Sequence, residues 1–390
     1  FTSIAGAERS ALAAIDASSG AATSWAPDPD REVAALAVSG GTLYTGGEFL
    51  GAGGVARTYV AAIDARTGEP TEWDASDGQP WVSGIRVNAI EATGGAVYLG
   101  GNFDQIGSAA RPALVKVDEL TGNPDAGFDA QVGNGFGTPG VGSLASGGSS
   151  LYVGGGPATG FDSLAGRSVD NLGAVALADG ADAMGAGPWG ANSTVNDLAV
   201  DGGVLYAVGD FTAAGGATRR RAAAISTASG GATGWNPDIN ASAKAIAVDT
   251  STVFVGGAFT TVHGGAPRAR LAALNRTNGL ATPWNPAPTA NVTALALGDE
   301  NLFVGGAFDE IDGDAGKAHL AAFALGDLTL ESWDPDMSPG GFVNTLDTSS
   351  GALVAGGRFS AVGGLPQAHV AVFGQGVAPV VALGAVAPLG

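Results

Sequence analysis

The chain has 390 residues, 45% of them hydrophobic, with no cysteine and a formal net charge of −20 that includes only three lysines, Lys116, Lys244 and Lys317. It has ample material for a core at roughly 25 cal/mol per Å² of buried apolar surface, it has no disulfides or thiolate metal sites, and its acidity excludes the basic face that a nucleic-acid partner demands. That acidity suits an extracellular or cation-rich setting, and no stretch reaches the roughly 18 apolar residues of a membrane span.

From its first residue the chain is in mid-repeat. Phe1, Arg9 and Trp25 carry a spacing that returns as Phe49/Arg57/Trp73, Phe103/Arg111/Phe128, Phe211/Arg219/Trp235, Phe259/Arg268/Trp284 and Phe308/Lys317/Trp333. This start without a signal peptide reads as a mature product or a fragment. A fixed period of about 50 residues marks an array of supersecondary units, each too small to bury its apolar faces alone. The middle copy keeps Gly154-Gly155, Arg167 and Trp189 but has Pro157 where the Phe is expected; the last keeps Phe359 and puts Gln367 at the basic position.

Within a unit, short apolar runs are broken by Gly, Asp, Asn and Ser, and no window sustains helical spacing for three turns, so the runs are strands. Four antiparallel strands are expected per unit. In the copy at 292–342 they are residues 292–297, 302–305 and 320–323 and a fourth strand carrying Trp333, with Thr-Gly turns such as Thr67-Gly68 and Thr121-Gly122 joining three to four. Ala and Gly in the first two strands let neighbouring sheets approach, while Phe and Trp fill a wedge that widens outward. The expected fold is an all-β, seven-bladed β-propeller spanning residues 1–375, with blade units at about 33–84, 85–140, 141–194, 195–242, 243–291, 292–342, and 343–375 joined with 1–30.

Closure of that ring leaves one strand over. The N-terminal segment offers third and fourth strands (residues 11–15 and 22–25), yet the C-terminal segment offers an apparent third of its own (residues 369–373). The spare strand packs on its own blade, belongs with a lost eighth blade, or serves a neighbouring molecule by β-augmentation, a head-to-tail contact that propagates into a filament unless it closes. The uncharged tail 376–390, rich in Val, Ala and Pro, adds to that last expectation.

The sequence order of hydrophobic strand, Gly-Gly, strand ending in Asp, Thr-Gly turn and Trp, as in Tyr44, Gly46-Gly47, Ile63-Asp64, Thr67-Gly68 and Trp73, resembles the kelch repeat. The run from Val255 to Arg268 and the string Trp284-Asn285-Pro286 are similar to the delta-sixty propeller repeat of bacterial surface and secreted proteins, and to fungal cortical polarity-marker propellers. The resemblance covers residues 1–375 and implies the fold; propellers host many unrelated activities, so it implies little about function.

Candidate chemistry is sparse. Arg9, Arg57, Arg111, Arg219 and Arg268 recur at one register, as do the Trp-Asn/Asp-Pro strings, which points to the same structural contact in each unit. The basic cluster Arg219-Arg220-Arg221 begins at that register and reads as a solvated edge. His319 and His369 are copies of one position, so with His263 they do not form one metal site. Asp309, Asp312 and Asp314 lie in a Gly-containing loop and are candidate Ca²⁺ ligands, without the full spacing of a known calcium loop. Trp81 and Phe136 sit in long insertions off the repeat register and are candidate ligand contacts at a central mouth, where a carbohydrate could bind or be cleaved. Residues 185–190 match G-x-G-x-x-G but open no helix; no G-x-S-x-G, H-E-x-x-H or P-loop string occurs, so no enzyme is expected. Asn192, Asn240, Asn275 and Asn291 form sequons that would permit glycosylation, although turns are the ordinary place for Asn.

Together these readings describe an extracellular or cell-surface structural or adhesive protein that forms homo-oligomers or filaments. A polysaccharide-binding propeller is the alternative, and a plain protein-recognition platform, with a surface protein as partner, a third.

Overall fold

The computed structural model describes residues 29–75, 86–106, 110–135, 137–156, 159–335, 340–348, 352–362 and 369–374, the single residues 27 and 337, and the pairs 3–4, 7–8 and 365–366. Trp81, Phe136, the expected strands at 11–15 and 22–25, and the tail 376–390 lie outside the described residues. Among the described residues there is no helix, and the long strands form seven three-stranded antiparallel sheets.

In the first sheet Val33–Ser39 pairs with Thr42–Gly47, which pairs with Val60–Asp64. Six further sheets keep that order: Arg86–Thr93, Ala96–Asn102 and Leu114–Asp118; Val141–Gly147, Ser150–Gly155 and Leu172–Ala176; Val195–Asp201, Val204–Gly209 and Ala222–Ser226; Ala243–Val248, Thr252–Gly257 and Leu271–Asn275; Val292–Leu297, Asn301–Gly306 and Leu320–Ala324; Phe342–Asp347, Ala352–Arg358 and Val370–Gly374. Strand two is buried almost throughout, which explains its unbroken apolar run: both of its faces lie against neighbouring sheets. Turns such as Gly40-Gly41, with φ of 54° and 82°, join strands one and two, a conformation that favours glycine.

Two backbone devices recur in every sheet. Strand one carries a bulge near its start, between Val33 and Ala35 in the first sheet and between Val343 and Thr345 in the seventh, which leaves one residue out of register. The residue before strand three adopts positive φ although it is never glycine: Tyr59, Ala113, Asn171, Arg221, Arg270, His319 and His369. Its carbonyl accepts from the second Gly of strand two and its N–H donates to the anchor Phe carbonyl, as in Gly47 to Tyr59 (2.9 Å) and Tyr59 to Phe49 (2.8 Å). The equivalence expected of His319 and His369 is therefore structural.

The first glycine of each pair lets the next sheet approach closely. A methyl group on Gly46 would sit 2.6 Å from Val87 Cγ1 of the next sheet, on Gly100 2.6 Å from Val141, on Gly256 2.4 Å from Val292 and on Gly305 2.6 Å from Val343. In the fourth sheet the equivalent residue is Val208, and the residue it meets in the fifth is Ala243 instead of Val, both fully buried. The volume removed on one side is restored on the other, as close packing requires. The seventh sheet meets the first in the same way: a methyl on Gly356 would lie 3.0 Å from both Val33 Cγ1 and Leu36 Cδ1.

Three expectations are corrected. In the first six sheets the fourth strand is reduced to one bridged pair, Ile63 with Pro70 and Phe323 with Leu330 for example, because the chain makes two ladder bonds and then turns away to deliver its aromatic residue; at Pro70 and Pro124 no N–H is available to extend the ladder. The link from strand two to strand three, expected as a loop, is a small hairpin: Gly51–Ala52 pairs with Val55–Ala56, Ala213–Ala214 with Ala217–Thr218, and Thr261–Val262 with Ala266–Pro267; Ser3–Ile4 with Ala7–Glu8 is a further hairpin of this size. The middle copy is as regular as the rest. Phe161, fully buried, takes the anchor place assigned to Pro157, since its carbonyl accepts the Asn171 N–H; four extra residues merely delay it.

The repeated Trp is a wedge between sheets. Trp73 meets Tyr44 edge to face (5.4 Å) and donates from Nε1 to Asp118 O of the next sheet (3.0 Å); Trp235 meets Tyr206 (5.6 Å) and donates to Asn275 O (3.2 Å); Trp284 donates to Leu328 O (2.9 Å). The repeated cation holds the segment that leads to the aromatic residue after it. Arg57 Nη2 donates to Thr71 O (2.8 Å), Arg111 to the Phe128 and Ala126 carbonyls, Arg268 to Thr282 O, and buried Lys317 to Ser332 O and Trp333 O at 2.7 Å each. Among the sequons, Asn275 accepts the N–H groups of Thr277 and Asn278 and so acts as a turn residue, whereas Asn240 accepts those of Thr260 and Thr261 and ties its loop to a distant one.

Candidate functional site

The bulge in strand one builds the most distinctive feature of the molecule. A cavity of about 320 Å³ is lined by strand one of all seven sheets. At its rim stand the residues that the bulges push out of register, among them Asn88, Asn196, Lys244, Thr293 and Asn344. Two residues further along each strand stands an aliphatic residue (Leu36, Ile90, Leu144, Leu198, Ile246, Leu295 and Leu346) that packs between sheets, as Ile90 Cδ1 does toward Gly46 and Leu144 Cδ1 toward Gly100.

The rim side chains also stitch neighbouring sheets together. Asn88 Nδ2 donates to Val141 O (3.3 Å), Asn196 Nδ2 to Ala243 O (2.7 Å), Thr293 Oγ1 to Val343 O and Asn344 Nδ2 to Val33 O (3.5 Å). Three carboxylates repeat the theme in the opposite sense, each accepting a backbone N–H of the following sheet: Glu91 from Ser146 (3.2 Å), Asp197 from Ile246 (2.8 Å) and Asp347 from Val38 (3.1 Å). Burial pushes Asp197 up to about 7 even though the Ile246 and Leu198 N–H groups favour its charged form. Its residue is open in part to the cavity, so water there softens the shift. Burial likewise pushes Glu91 up, against the Ser146 hydroxyl and N–H, and the charge of Asp347 adds to the rise.

Lys244 and Asp197 are the charged residues of the lining. Lys244 Nζ lies 3.4 Å from Asn196 Oδ1 and 3.8 Å from Asp210 Oδ2. Nearby, Arg86 bridges Glu32 and Glu48 at 3.1 Å each. Nothing in the sequence marked these residues as a set, because strands one of different repeats meet only through the packing of the sheets; the signal was one polar residue following the first Val or Ala of strand one in five of the seven sheets, Ala34 and Gly142 standing there in the other two.

The structure does not bring the expected cation ligands together. The Asp309 side chain is 83% exposed and 3.9 Å from His319 Nε2, Asp314 Oδ1 accepts the Gly316 N–H, and the Asp312 N–H is tied to Pro286 O. No group of three or more His, Asp and Glu able to hold a metal occurs among the described residues. No helix among them is long and apolar enough to cross a membrane.

No protein-family model and no curated protein sequence matches the chain. Solved structures do match. U3-55K is 12% identical, with 87% of this chain and 94% of that one covered and a TM-score of 0.55. The WD40 repeats of RRP9 are 13% identical, covering 87% and 88% with a TM-score of 0.53, and the WD40 β-propeller domain of Doa1 is 10% identical, covering 89% and 94% with a TM-score of 0.50. At such identities the likeness defines the fold, a β-propeller, and nothing more.

Proposed function

We propose that this β-propeller is a closed seven-bladed ring of kelch-like or delta-sixty type that works outside the cell as a structural or adhesive disc joining copies of itself. The observation that carries the reading is a duplication: the seventh sheet already holds its own third strand, Val370–Gly374, and its own small hairpin, Ala361–Val362 with Leu365–Pro366, while the N-terminal segment supplies a second hairpin, Ser3–Ile4 with Ala7–Glu8, and a second third-strand sequence. An element without a place in its own ring is what a neighbour can accept along a sheet edge. Ring closure is supported by the Asp347 bond to Val38 and by the packing of Gly356 on Val33 and Leu36.

Two measurements test this. Spin labels at Thr348→Cys and Ser39→Cys should give the same separation as labels at Ser146→Cys and Asp201→Cys, which flank an ordinary boundary between sheets; a much longer separation refutes closure. Light scattering and electron microscopy of the full chain should show oligomers or fibres that disappear when residues 1–15 are deleted, and a monomer with or without those residues refutes assembly.

A further inference from the structure

We propose that residues 12–16 and Val370–Gly374 are rival strands for one place, the edge of Ala352–Arg358 in the seventh sheet, and that the chain docks the first in exchange for the second. The inference rests on the duplication that carries the assembly reading but not on assembly itself, and it names the strand that the exchange frees.

Residues 1–25 repeat residues 49–73 at a constant offset of 48. The hairpin of Ser3–Ile4 with Ala7–Glu8 stands at that offset from Gly51–Ala52 with Val55–Ala56. Leu12, Ala13, Ala14, Ile15 and Asp16 stand at it from Val60, Ala61, Ala62, Ile63 and Asp64, the third strand of the first sheet. Gly20 and Trp25 follow at the places of the turn residue Gly68 and the wedge Trp73. Val370–Gly374 makes the same ladder, with Val372 opposite Val354, but no such turn and no Trp comes after it.

The far end of the N-terminal unit is anchored to its own molecule. Pro27 O accepts the Gly53 N–H (2.6 Å) from the small hairpin of the first sheet, as Pro286 O accepts that of Asp312 (2.6 Å) and Pro237 O that of His263. Asp30 Oδ1 accepts the Leu50 N–H (2.7 Å), as Asn240 Oδ1 accepts that of Thr260 (3.0 Å). Trp235 and Trp284 lie two residues before their prolines and are the wedges that reach the following sheet; Trp25 lies two residues before Pro27. Pro27 therefore holds the segment at the entry to the first sheet, where Gly356 of the seventh packs on Val33 and Leu36. Nine residues lead from Asp16 to Trp25, as nine lead from Asp64 to Trp73. So short a tether keeps residues 12–16 at high effective concentration beside the edge of their own seventh sheet. Docked there, they make strand, turn and wedge one continuous segment, as in the other sheets. Val370–Gly374 and the tail 376–390 are then free to pair outside the ring.

The test uses the full chain, which has no Cys of its own. Val354 stands opposite Val372, and by the offset opposite Ala14, as Tyr44 stands opposite Ala62. Val354→Cys is combined with Val372→Cys, with Ala14→Cys or with Ala13→Cys, and each protein is oxidised in dilute solution. Peptide mass spectrometry and non-reducing electrophoresis then show which disulfides form and whether they join one chain or two. The pairs with 372 and with 14 should both close within one chain, whereas Ala13→Cys, one residue off and so on the other face, should stay open. Without any Cys, the amides of residues 370–374 should exchange about tenfold or more faster than in a chain lacking residues 1–15. A pair at 354 and 14 that stays open or closes only between molecules overturns the proposal, as do equal exchange rates with and without residues 1–15. Light scattering reads association separately: monomers that close both pairs keep the exchange and lose the assembly, and fibres in which 354 and 14 stay unlinked lose the exchange alone.

Discussion

Replacing Gly256 by Val isolates the contact that sets how closely two sheets approach. Even the first carbon of the new side chain would stand 2.4 Å from Val292 Cγ1 and 3.0 Å from its Cβ, and Val292 is fully buried on a β-branched side chain with little rotamer freedom. Inserting three carbons there should destabilise by about 3 kcal/mol. Val292→Ala alone removes two methyl groups from a packed site and should cost about 2 kcal/mol. The double variant reproduces the Val208/Ala243 pair that the fourth and fifth sheets use, so it should fall within about 1 kcal/mol of the parent, a coupling of several kcal/mol between residues on different sheets. Urea unfolding with matched m-values reads all four proteins. If the double variant is as unstable as the sum of the singles, the complementarity of glycine and valine across sheets is not what spaces them. The same cycle at Gly356 and Val33 should show a like coupling if the seventh sheet closes on the first, and no coupling if it does not, since the clash of Gly356→Val with Thr345 lies within its own sheet.

Lys317→Met leaves the Ser332 and Trp333 carbonyls without their ammonium and should lower stability by about 2–3 kcal/mol, whereas Lys317→Arg, the residue found at this register in other repeats, should cost under about 1 kcal/mol; equal losses would show that the cation is not what holds the loop. Trp235→Ala should lose about 3–5 kcal/mol. Trp235→Phe should lose only about 1 kcal/mol, because the Asn275 carbonyl keeps the Gly279 N–H at 2.8 Å, and thermal unfolding separates the two. Asp197 binds its proton more tightly folded, at about 7, than its ordinary value of 3.8. The native state therefore holds more protons between those values, and stability should fall as pH rises from about 4 to about 7 and level off above. Asp197→Asn should flatten that part of the profile, and parallel urea-midpoint profiles for the two proteins would refute the assignment.

The repeat period, the strand runs and the small residues of strand two determine sheets of one kind in series, and the chain alone declares them, because each follows from local alternation, turn chemistry and the need of each unit for neighbours. Local sequence also carried the roles of the repeated Arg and Trp, since a residue that returns at one register makes one contact. Tertiary structure decided what depends on meetings between repeats. Phe161 was invisible because four extra residues moved it out of phase, and only its bond to Asn171 shows where it belongs. The Val208 and Ala243 exchange reads as two unrelated irregularities until the sheets are packed. The cavity lining had no sequence signature as a set: Asn88, Lys244 and Asn344 lie far apart in the chain, and it is the bulge in each strand one, repeated around a common cavity, that turns them to the same place.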